Sequence, residues 1–336
     1  MRLSRMQQKH IRAADRTDWH TIYPEIALNI IVFCAGTNHP TMTYTQKLLA
    51  SVRASRTVLC AGLDPVPEHL PPEIRNRGLS ESEAAVTFCL RMIEQTKTGV
   101  AAYKINIAYF EALGTDAFHA LNDVLDAIPS GKVLIADAKR GDVPHTNARY
   151  KTAWFDRFGF DAITLFPFIG LDTLHPFLQD TNRAAYALTL TSNPGATDLM
   201  MRPFEGASSL SEYIAGRLRS TALEHPGTLG MVIGATQSAF YGPVMQAFPE
   251  APLLIPGVGA QGGSVDELAK HLIRHQGIPL INVSRGLSSM DPSNPSDWQM
   301  QVAANTSRYN QALQDISERW LLPDDPDAPK QQNQFS

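Results

Sequence analysis

The chain has 336 residues, of which 43% are hydrophobic and 18% are charged, and its formal net charge is -4. These values are typical of a globular protein, with enough chain for one large α/β barrel or two ordinary domains. The slightly negative charge gives no electrostatic reason to expect nucleic acid or an anionic membrane as a partner. No apolar stretch has the length that crosses a bilayer.

The chain contains only three cysteines, Cys34, Cys60 and Cys89. They are odd in number and lack the paired spacing of a zinc site. Cys60 and Cys89 lie in apolar patterns, which favours buried, unpaired side chains. This use of cysteine indicates a reducing compartment, and we predict a cytoplasmic protein. No spacing of His, Asp or Glu indicates a metal site, so no metal is predicted.

The two ends of the chain differ from the rest. Residues 1–41 contain no strand–helix unit, and an amphipathic helix begins after Met42. We predict that 1–41 are an extension, which either precedes the true start at Met42 or is dispensable and disordered. The polar, proline-rich residues 323–336 are predicted to be a disordered tail. A single domain would therefore span 42–322.

Short apolar runs alternate with helix-like segments along this domain. Most runs are continuously apolar, as expected for parallel strands covered by helices. Eight such units match a (β/α)8 TIM barrel, whose typical size is about 250 residues. A doubly wound open sheet is the alternative, although its glycine fingerprint is absent after the first strand. The predicted strands are 57–63, 100–106, 132–138, 161–166, 184–190, 229–234, 252–255 and 279–283.

Several helices carry their own signals. Ser80-Glu-Ser-Glu83 and Ser264-Val-Asp-Glu267 both have the pattern of a capping box. The second box predicts a helix that stops at Gly277. A last helix is predicted over 297–320. The apolar face expected for the helix after the second box consists of Leu268, Leu272 and Ile273.

The most informative segment is 133–142, where an apolar strand ends in Asp137, Lys139 and Asp142. Because side chains alternate along a strand, Asp137 and Lys139 are expected on one face. Gly141 would permit a turn that brings Asp142 back toward them. Buried charges are costly unless they are paired, and carboxylates favour the protonated form of a neighbouring lysine. The segment predicts a catalytic ammonium, with a structural ion-pair network as the alternative.

Polar residues also follow other strands at the end where a barrel carries its active site. Asp64 follows the first strand, Lys104 lies at the second, and Ser192 follows the fifth. The long segment 193–210, which contains Pro203 and two glycines, is the candidate lid.

The last two loops have the composition of a phosphate site. Loops after strands seven and eight often bind phosphate in this barrel. Arg285, followed by Gly286, can add a charge-assisted contact after the eighth strand. The alternative is that the glycines only make tight turns. The glycines of the seventh loop that would let backbone N–H groups approach an anion are Gly257, Gly259, Gly262 and Gly263.

These residues together resemble the orotidine 5′-phosphate decarboxylase family, in particular its longer bacterial type 2 subfamily. The most specific element is Asp137-Ala-Lys-Arg-Gly-Asp142. The resemblance covers about 43–322 and implies decarboxylation of orotidine 5′-phosphate to UMP without a cofactor. The supporting motifs, in matching order and spacing, are Gly62-Leu-Asp-Pro65, Tyr103-Lys-Ile-Asn106, Ser192-Asn-Pro-Gly195, Gly257-Val-Gly-Ala-Gln-Gly-Gly263 and Ser284-Arg-Gly286.

The resemblance implies how the charged residues act. Lys139 would give a proton to C6 of the pyrimidine as carbon dioxide leaves, with Asp137 beside the substrate carboxylate. Asp64 and Lys104 would bind ribose hydroxyls, and Lys104 would also belong to the charged array. The carbanion left at C6 has no neighbouring carbonyl sink, so preorganised charge must stabilise it.

The resemblance also implies how the rest of the substrate is held. Ser192 would bind the edge of the pyrimidine, Gln261 would bridge the base and the phosphate, and Arg285 would hold the phosphate. Asp142 and Thr146 would enter the site of the other subunit, so the active protein is expected to be a homodimer.

Two other functions remain open from the residues alone. Related barrels use the same Asp-x-Lys-x-x-Asp array with Mg²⁺ and an enediolate, and EDTA should abolish the activity of such an enzyme. A barrel that binds phosphate without catalysis is the second alternative. In that case Lys139→Ala should leave ligand binding intact and remove no activity.

Overall fold

The computed structural model describes residues 42–259, 262–291 and 297–321. The predictions for the 1–41 extension, for Cys34, for Gln261 and for the 323–336 tail lie outside the described residues.

Eight parallel strands close into a barrel in chain order, with the last strand hydrogen-bonded to the first. Every predicted apolar run is a strand of this barrel. Because closure leaves no free sheet edge, the doubly wound alternative is excluded. The strands are β1 Leu59–Leu63, β2 Ala102–Asn106, β3 Val133–Arg140, β4 Ala162–Leu165, β5 Ala184–Leu190, β6 Thr228–Ile233, β7 Leu253–Pro256 and β8 Pro279–Val283.

The strands are buried on both faces, since side chains fill the barrel and helices cover it. Every residue of β1, β5 and β8 is buried. This two-sided burial explains why the strands are continuously apolar in sequence instead of alternating with polar residues.

Helices follow most of the strands. The fourth unit differs, because the 3-10 turns Pro167–Ile169 and Leu171–Leu178 connect β4 to β5. Pro176 in the second turn lacks the N–H that an α-helix would need, so this unit has 3-10 turns in place of a regular α-helix. The α-helices are Tyr44–Ser55, Pro72–Arg75, Glu81–Thr96, Ile107–Glu111, Ala117–Ala127, Pro144–Lys151, Leu210–Leu223, Ser238–Ala247, Val265–Leu272, Arg285–Ser288, Trp298–Ala312 and Gln314–Leu321.

Within the described ranges, no helix combines the length and the apolar character that spanning a membrane requires.

The helix Tyr44–Ser55 lies at the amino-terminal end of the barrel. It is the amphipathic helix predicted after Met42, and it begins with a capping box. The hydroxyl of Tyr44 is 2.9 Å from that of Tyr186 inside the barrel. Lys47 Nζ lies 2.6 Å from Asp161, which directly precedes β4. The helix therefore closes the end opposite the carboxyl ends of the strands.

The two predicted capping boxes have different outcomes. Ser80 and Glu83 cap each other in both directions, which confirms the first box. Ser264 accepts a hydrogen bond from the backbone N–H of Glu267, as predicted. The carboxylate of Glu267 pairs with Lys270 at 2.5 Å, and it is this ion pair that replaces the second half of the box.

The predicted ends of two helices were wrong. The helix Val265–Leu272 ends well before Gly277 and leaves Ile273 73% exposed, so Ile273 does not share the buried face. The helix predicted over 297–320 is broken at Leu313, whose side chain is fully buried. At Leu313 tertiary packing overrides the local helical pattern.

The interpretation of Cys60 and Cys89 as buried, unpaired side chains was confirmed. Burial raises the pKa of the Cys60 thiol to about 12, so this thiol is protonated at neutral pH. Trp154 and Trp298 are 3% and 1% exposed, and Trp320 contacts the core.

Candidate active site

Three charged side chains form a compact array at the carboxyl ends of β2 and β3. Asp137 lies 2.6 Å from Lys104 Nζ through Oδ2 and 2.5 Å from Lys139 Nζ through Oδ1. Asp137 and Lys104 are buried, whereas the Lys139 side chain is 50% exposed. The Lys139 ammonium is therefore the member of the array that a ligand can reach.

The charges of the array keep one another ionised. Burial alone would raise the pKa of Asp137, but the ammonium groups of Lys104 and Lys139 hold it well below its usual range. Burial alone would lower the pKa of Lys104, but the carboxylates of Asp137 and Asp64 raise it above its usual value. At neutral pH the array presents fixed, alternating charges.

Asp64 extends the array from the end of β1. Its Oδ1 lies 4.0 Å from Lys104 Nζ. The same oxygen is buried and has no hydrogen-bond partner among the described residues. A buried acceptor without a donor costs free energy, so a hydroxyl group of a ligand would stabilise it.

Asp137 and Lys139 meet as predicted, but not through simple strand alternation. Lys139 has a positive φ of 46°, which is uncommon for a residue other than glycine. Gly141 does not have a positive φ, so the chain turns here without a left-handed glycine. It is needed for space, because a Cβ there would lie 2.7 Å from the carbonyl oxygen of Phe166.

Asp142 and Thr146 do not join the array of their own chain. The carboxylate of Asp142 accepts a hydrogen bond of 2.7 Å from the N–H of Val143. No ion pair between described residues links it to Lys139, whose partner is Asp137. The prediction that the turn returns Asp142 to the array is therefore wrong within one chain. Thr146 lies beside the exposed His145 in the first turn of the following helix.

The glycine-rich loop after β7 uses its backbone donors internally. The N–H groups of Gly259, Gly262 and Gly263 donate to the carbonyls of Gly263, Gly259 and Gly257, respectively. Gly259 and Gly262 have positive φ values of 77° and 89°. For these three N–H groups the structure favours the alternative in which the glycines make tight turns.

Arg285 begins a short helix directly after β8 and is exposed. It lines one pocket together with Asp64, Gly62 and Ser284. The first N–H groups of a helix have no intrahelical partner, so those of Arg285 and Gly286 can face an anion. The strands thus place the arginine next to the acidic end of the array.

Tyr309 holds the last two loops together. A Cβ at Gly259 would lie 2.3 Å from the Tyr309 hydroxyl oxygen, and one at Gly286 would lie 2.2 Å from it. Both distances are far too short for carbon and oxygen, so a side chain at either position would displace the Tyr309 hydroxyl. The loop after β7 and the helix after β8 therefore close around one side chain of the helix Trp298–Ala312.

Ser192 follows β5, where a neighbouring loop fixes its backbone. A Cβ at Gly234 would lie 2.5 Å from the Ser192 nitrogen. The hydroxyl of Thr236 donates to the Ser192 carbonyl at 3.2 Å. The close approach of these two loops holds Ser192 at the same end of the barrel as the charged array.

The candidate lid at 193–210 has local structure of its own. It contains the 3-10 turn Pro194–Asp198 and a tight turn in which Phe204 and Ala207 exchange backbone hydrogen bonds. Leu210 already belongs to the next helix. Leu199 is 69% exposed and Phe204 is 42% exposed, so apolar surface is available on this segment.

Three residues near the site were not identified from the sequence. The hydroxyl of Thr164 contacts both Asp137 and Lys139. The hydroxyl of Tyr309 lies between Gly259 and Gly286. Burial raises the pKa of Tyr109, which also lies within the electrostatic range of Asp64. In the sequence, Thr164 is weakly indicated as the one polar residue of an otherwise apolar strand. No sequence pattern indicates Tyr109 or Tyr309.

The fold and the site define a (β/α)8-barrel enzyme whose charged side chains and glycine-rich loops meet at the carboxyl ends of the strands. A family model described as Orotidine 5'-phosphate decarboxylase / HUMPS family matches residues 57–294. The chain belongs to this family.

Individual proteins agree with the family match. A curated relative from Herpetosiphon aurantiacus, named Orotidine 5'-phosphate decarboxylase, is 35% identical over 288 residues, covering 83% of this chain and 97% of its own. A relative of the same name from Variovorax paradoxus is 35% identical, covering 80% and 97%. The solved structure of Leishmania donovani OMP decarboxylase has a TM-score of 0.66 at 32% identity and covers 82% and 99%.

Proposed function

We propose that this chain decarboxylates orotidine 5′-phosphate to UMP and carbon dioxide in the cytoplasm, as a step of pyrimidine biosynthesis. The observation that carries the proposal is the array in which Asp137 lies between Lys104 and Lys139. The array lies at the active end of a barrel that belongs to the Orotidine 5'-phosphate decarboxylase / HUMPS family. The chemistry needs no cofactor, because charge alone can stabilise the carbanion.

The proposed reaction begins with the substrate carboxylate beside Asp137. Asp137 stays ionised because two ammonium groups lower its pKa. Repulsion between the two carboxylates would destabilise the bound substrate and would be relieved when carbon dioxide leaves. The bond from C6 to the carboxyl carbon breaks, and its electron pair stays on C6.

Lys139 completes the reaction. Its ammonium stabilises the electron pair on C6 and then transfers one proton to it, which forms the C6–H bond of UMP. The neutral amine regains a proton from water. Two observations support this assignment. The Lys139 side chain is exposed, so the substrate can reach its ammonium, and the 2.5 Å contact with Asp137 orients that ammonium.

The remaining site residues would bind the parts of the substrate that do not react. Lys104 and Asp64, whose buried Oδ1 lacks a hydrogen-bond partner among the described residues, would hold ribose hydroxyls. Ser192 would bind the pyrimidine edge. Arg285 would hold the phosphate, next to Gly286, and Gln261 would bridge the phosphate and the base. Enzymes typically lower such barriers by about 8–23 kcal/mol, so binding energy from the phosphate would contribute to catalysis.

We also propose that two chains form a homodimer in which Asp142 and Thr146 enter the partner's site. Asp142 has no role in the array of its own chain, which supports a role elsewhere. The loops after β3 and β4 also expose apolar side chains: Val143, Phe166 and Ile169 are 44%, 40% and 55% exposed. Exposed apolar surface of this kind is typical of protein interfaces.

The proposed function can be tested by the loss of absorbance as orotidine 5′-phosphate becomes UMP. We expect turnover by the purified protein, with the same rate after treatment with EDTA. Absence of turnover by the wild-type chain would refute the proposal. Turnover that EDTA abolishes would instead favour the Mg²⁺-dependent reactions of related barrels.

A further inference from the structure

Thr164 lies opposite an irregular stretch at the end of β3. The pairing of β3 with β4 runs from Ile135 opposite Ala162 to Ala136 opposite Ile163, and the next pair is Arg140 opposite Leu165. Residues 137–139 of β3 therefore face Thr164 alone. Such bulges redirect side chains and are frequent beside active sites.

The hydroxyl of Thr164 makes two hydrogen bonds across this bulge. It accepts one of 3.0 Å from the backbone N–H of Lys139. It donates one of 3.0 Å to Oδ1 of Asp137, the oxygen that also contacts Lys139 Nζ. Thr164 is 1% exposed, so water cannot easily replace these bonds. One hydroxyl thus joins the backbone of one array member to the carboxylate of another.

Lys139 depends on such support. Its positive φ of 46° is disfavoured for a side chain with a Cβ and persists only where the surroundings impose it. The Lys139 side chain is half exposed, so packing does not fix its direction. The direction of the ammonium is therefore set by the backbone conformation and by Asp137, and both contact Thr164.

We propose that Thr164 is a positioning residue for the decarboxylation. Its hydroxyl holds the left-handed backbone of Lys139 and the carboxylate of Asp137 in the arrangement that aims the ammonium at the reacting carbon. Thr164 is buried beneath the array and acts through these two residues. The inference rests on the proposed function, because it concerns the proton donor of that reaction.

Thr164→Val removes the hydroxyl and keeps the shape of the side chain, and Thr164→Ser keeps the hydroxyl. We expect Thr164→Val to lower kcat by about 10- to 100-fold, as for the loss of a hydrogen bond to a charged group. The affinity for UMP should stay unchanged, because Thr164 binds no part of the ligand. Thr164→Ser should restore most of kcat.

Thr57→Val is the matched control. Thr57 is also 1% exposed, and its hydroxyl donates to Asn310 at 2.8 Å and accepts from the N–H of Leu59 at 3.0 Å. It has the same bonding pattern but lies at the amino end of the barrel. We expect Thr57→Val to lower the stability of the protein and to leave kcat unchanged.

Three results would overturn the role of Thr164. They are a wild-type kcat for Thr164→Val, an equal loss of kcat for Thr57→Val, and no recovery of kcat by Thr164→Ser. If Thr164→Val does not fold, Thr164→Ala replaces it, because alanine also lacks the hydroxyl, and a wild-type kcat for that variant would overturn the role equally. Failure of the proposed function is distinguishable, because the wild-type protein would then not turn over orotidine 5′-phosphate at all.

Discussion

Asp137→Asn tests how the buried array is held together. Lys104 Nζ lies 2.6 Å from Asp137 and 4.0 Å from Asp64. With an effective dielectric constant of about 20, unit charges at these distances attract by roughly 6 and 4 kcal/mol, respectively. The substitution removes the stronger attraction, to Asp137, and leaves the buried Lys104 ammonium with only the weaker attraction, to Asp64. Breaking a buried ion pair in this way costs about 3–5 kcal/mol of unfolding free energy.

Lys139→Ala should behave differently, although it breaks a contact of similar length. The Lys139 side chain is 50% exposed, so water already solvates much of its charge. Exposed ion pairs contribute about 0–1 kcal/mol, and Asp137 would keep its bond to Lys104. We therefore expect Lys139→Ala to change stability by less than about 1 kcal/mol, while it removes the proposed proton donor.

Urea unfolding at neutral pH measures the unfolding free energies of Asp137→Asn and Lys139→Ala relative to the wild type. Glu94→Gln is the control, because Glu94 pairs with Lys97 on the surface and its side chain is 62% exposed. We expect no measurable change for the control. The reasoning would be refuted if Asp137→Asn unfolded at the wild-type urea concentration, or if Lys139→Ala destabilised the protein as much as Asp137→Asn.

Three further predictions concern the phosphate end, the subunit interface and pH. Gly286→Ala would collide with the hydroxyl of Tyr309 and should raise KM by about tenfold, and adding Tyr309→Phe should reverse part of this increase. Lys139→Ala and Asp142→Ala should each be inactive but regain activity when their subunits are mixed and reassembled; no recovery would contradict shared sites. Because the folded pKa of Asp137 is depressed, its contribution to stability is present above its unfolded pKa of about 3.9 and is lost as pH falls through the folded value. The stability difference between wild type and Asp137→Asn should therefore shrink in urea titrations below about pH 4, and a constant difference would contradict this.

The barrel could be predicted from the sequence because most of its strands are nearly continuous apolar runs. The charges at the strand ends were equally visible, since Asp137, Lys139 and Asp64 interrupt or follow those runs. Closure of the barrel then brings residues that are distant in sequence to one end. For this reason the sequence alone predicts that these charged residues share one site.

The local geometry of the array could not be predicted. The left-handed backbone of Lys139 depends on Thr164 in another strand, and the need for glycine at 259 and 286 depends on Tyr309 in the helix Trp298–Ala312. The break at Leu313 likewise follows from burial of its side chain. These features arise from tertiary contacts, which local pattern and propensity do not contain.

The exchange of hydrogen for deuterium at C6 of UMP in D2O tests most directly whether Lys139 delivers the proton to that carbon. Removal of the C6 proton by the enzyme is the reverse of the proposed protonation and passes through the same carbanion. We expect the wild-type protein to catalyse this exchange, and Lys139→Ala to exchange about 100- to 10,000-fold more slowly while it still binds UMP. Exchange by Lys139→Ala at the wild-type rate would contradict the assignment of Lys139 as the proton donor.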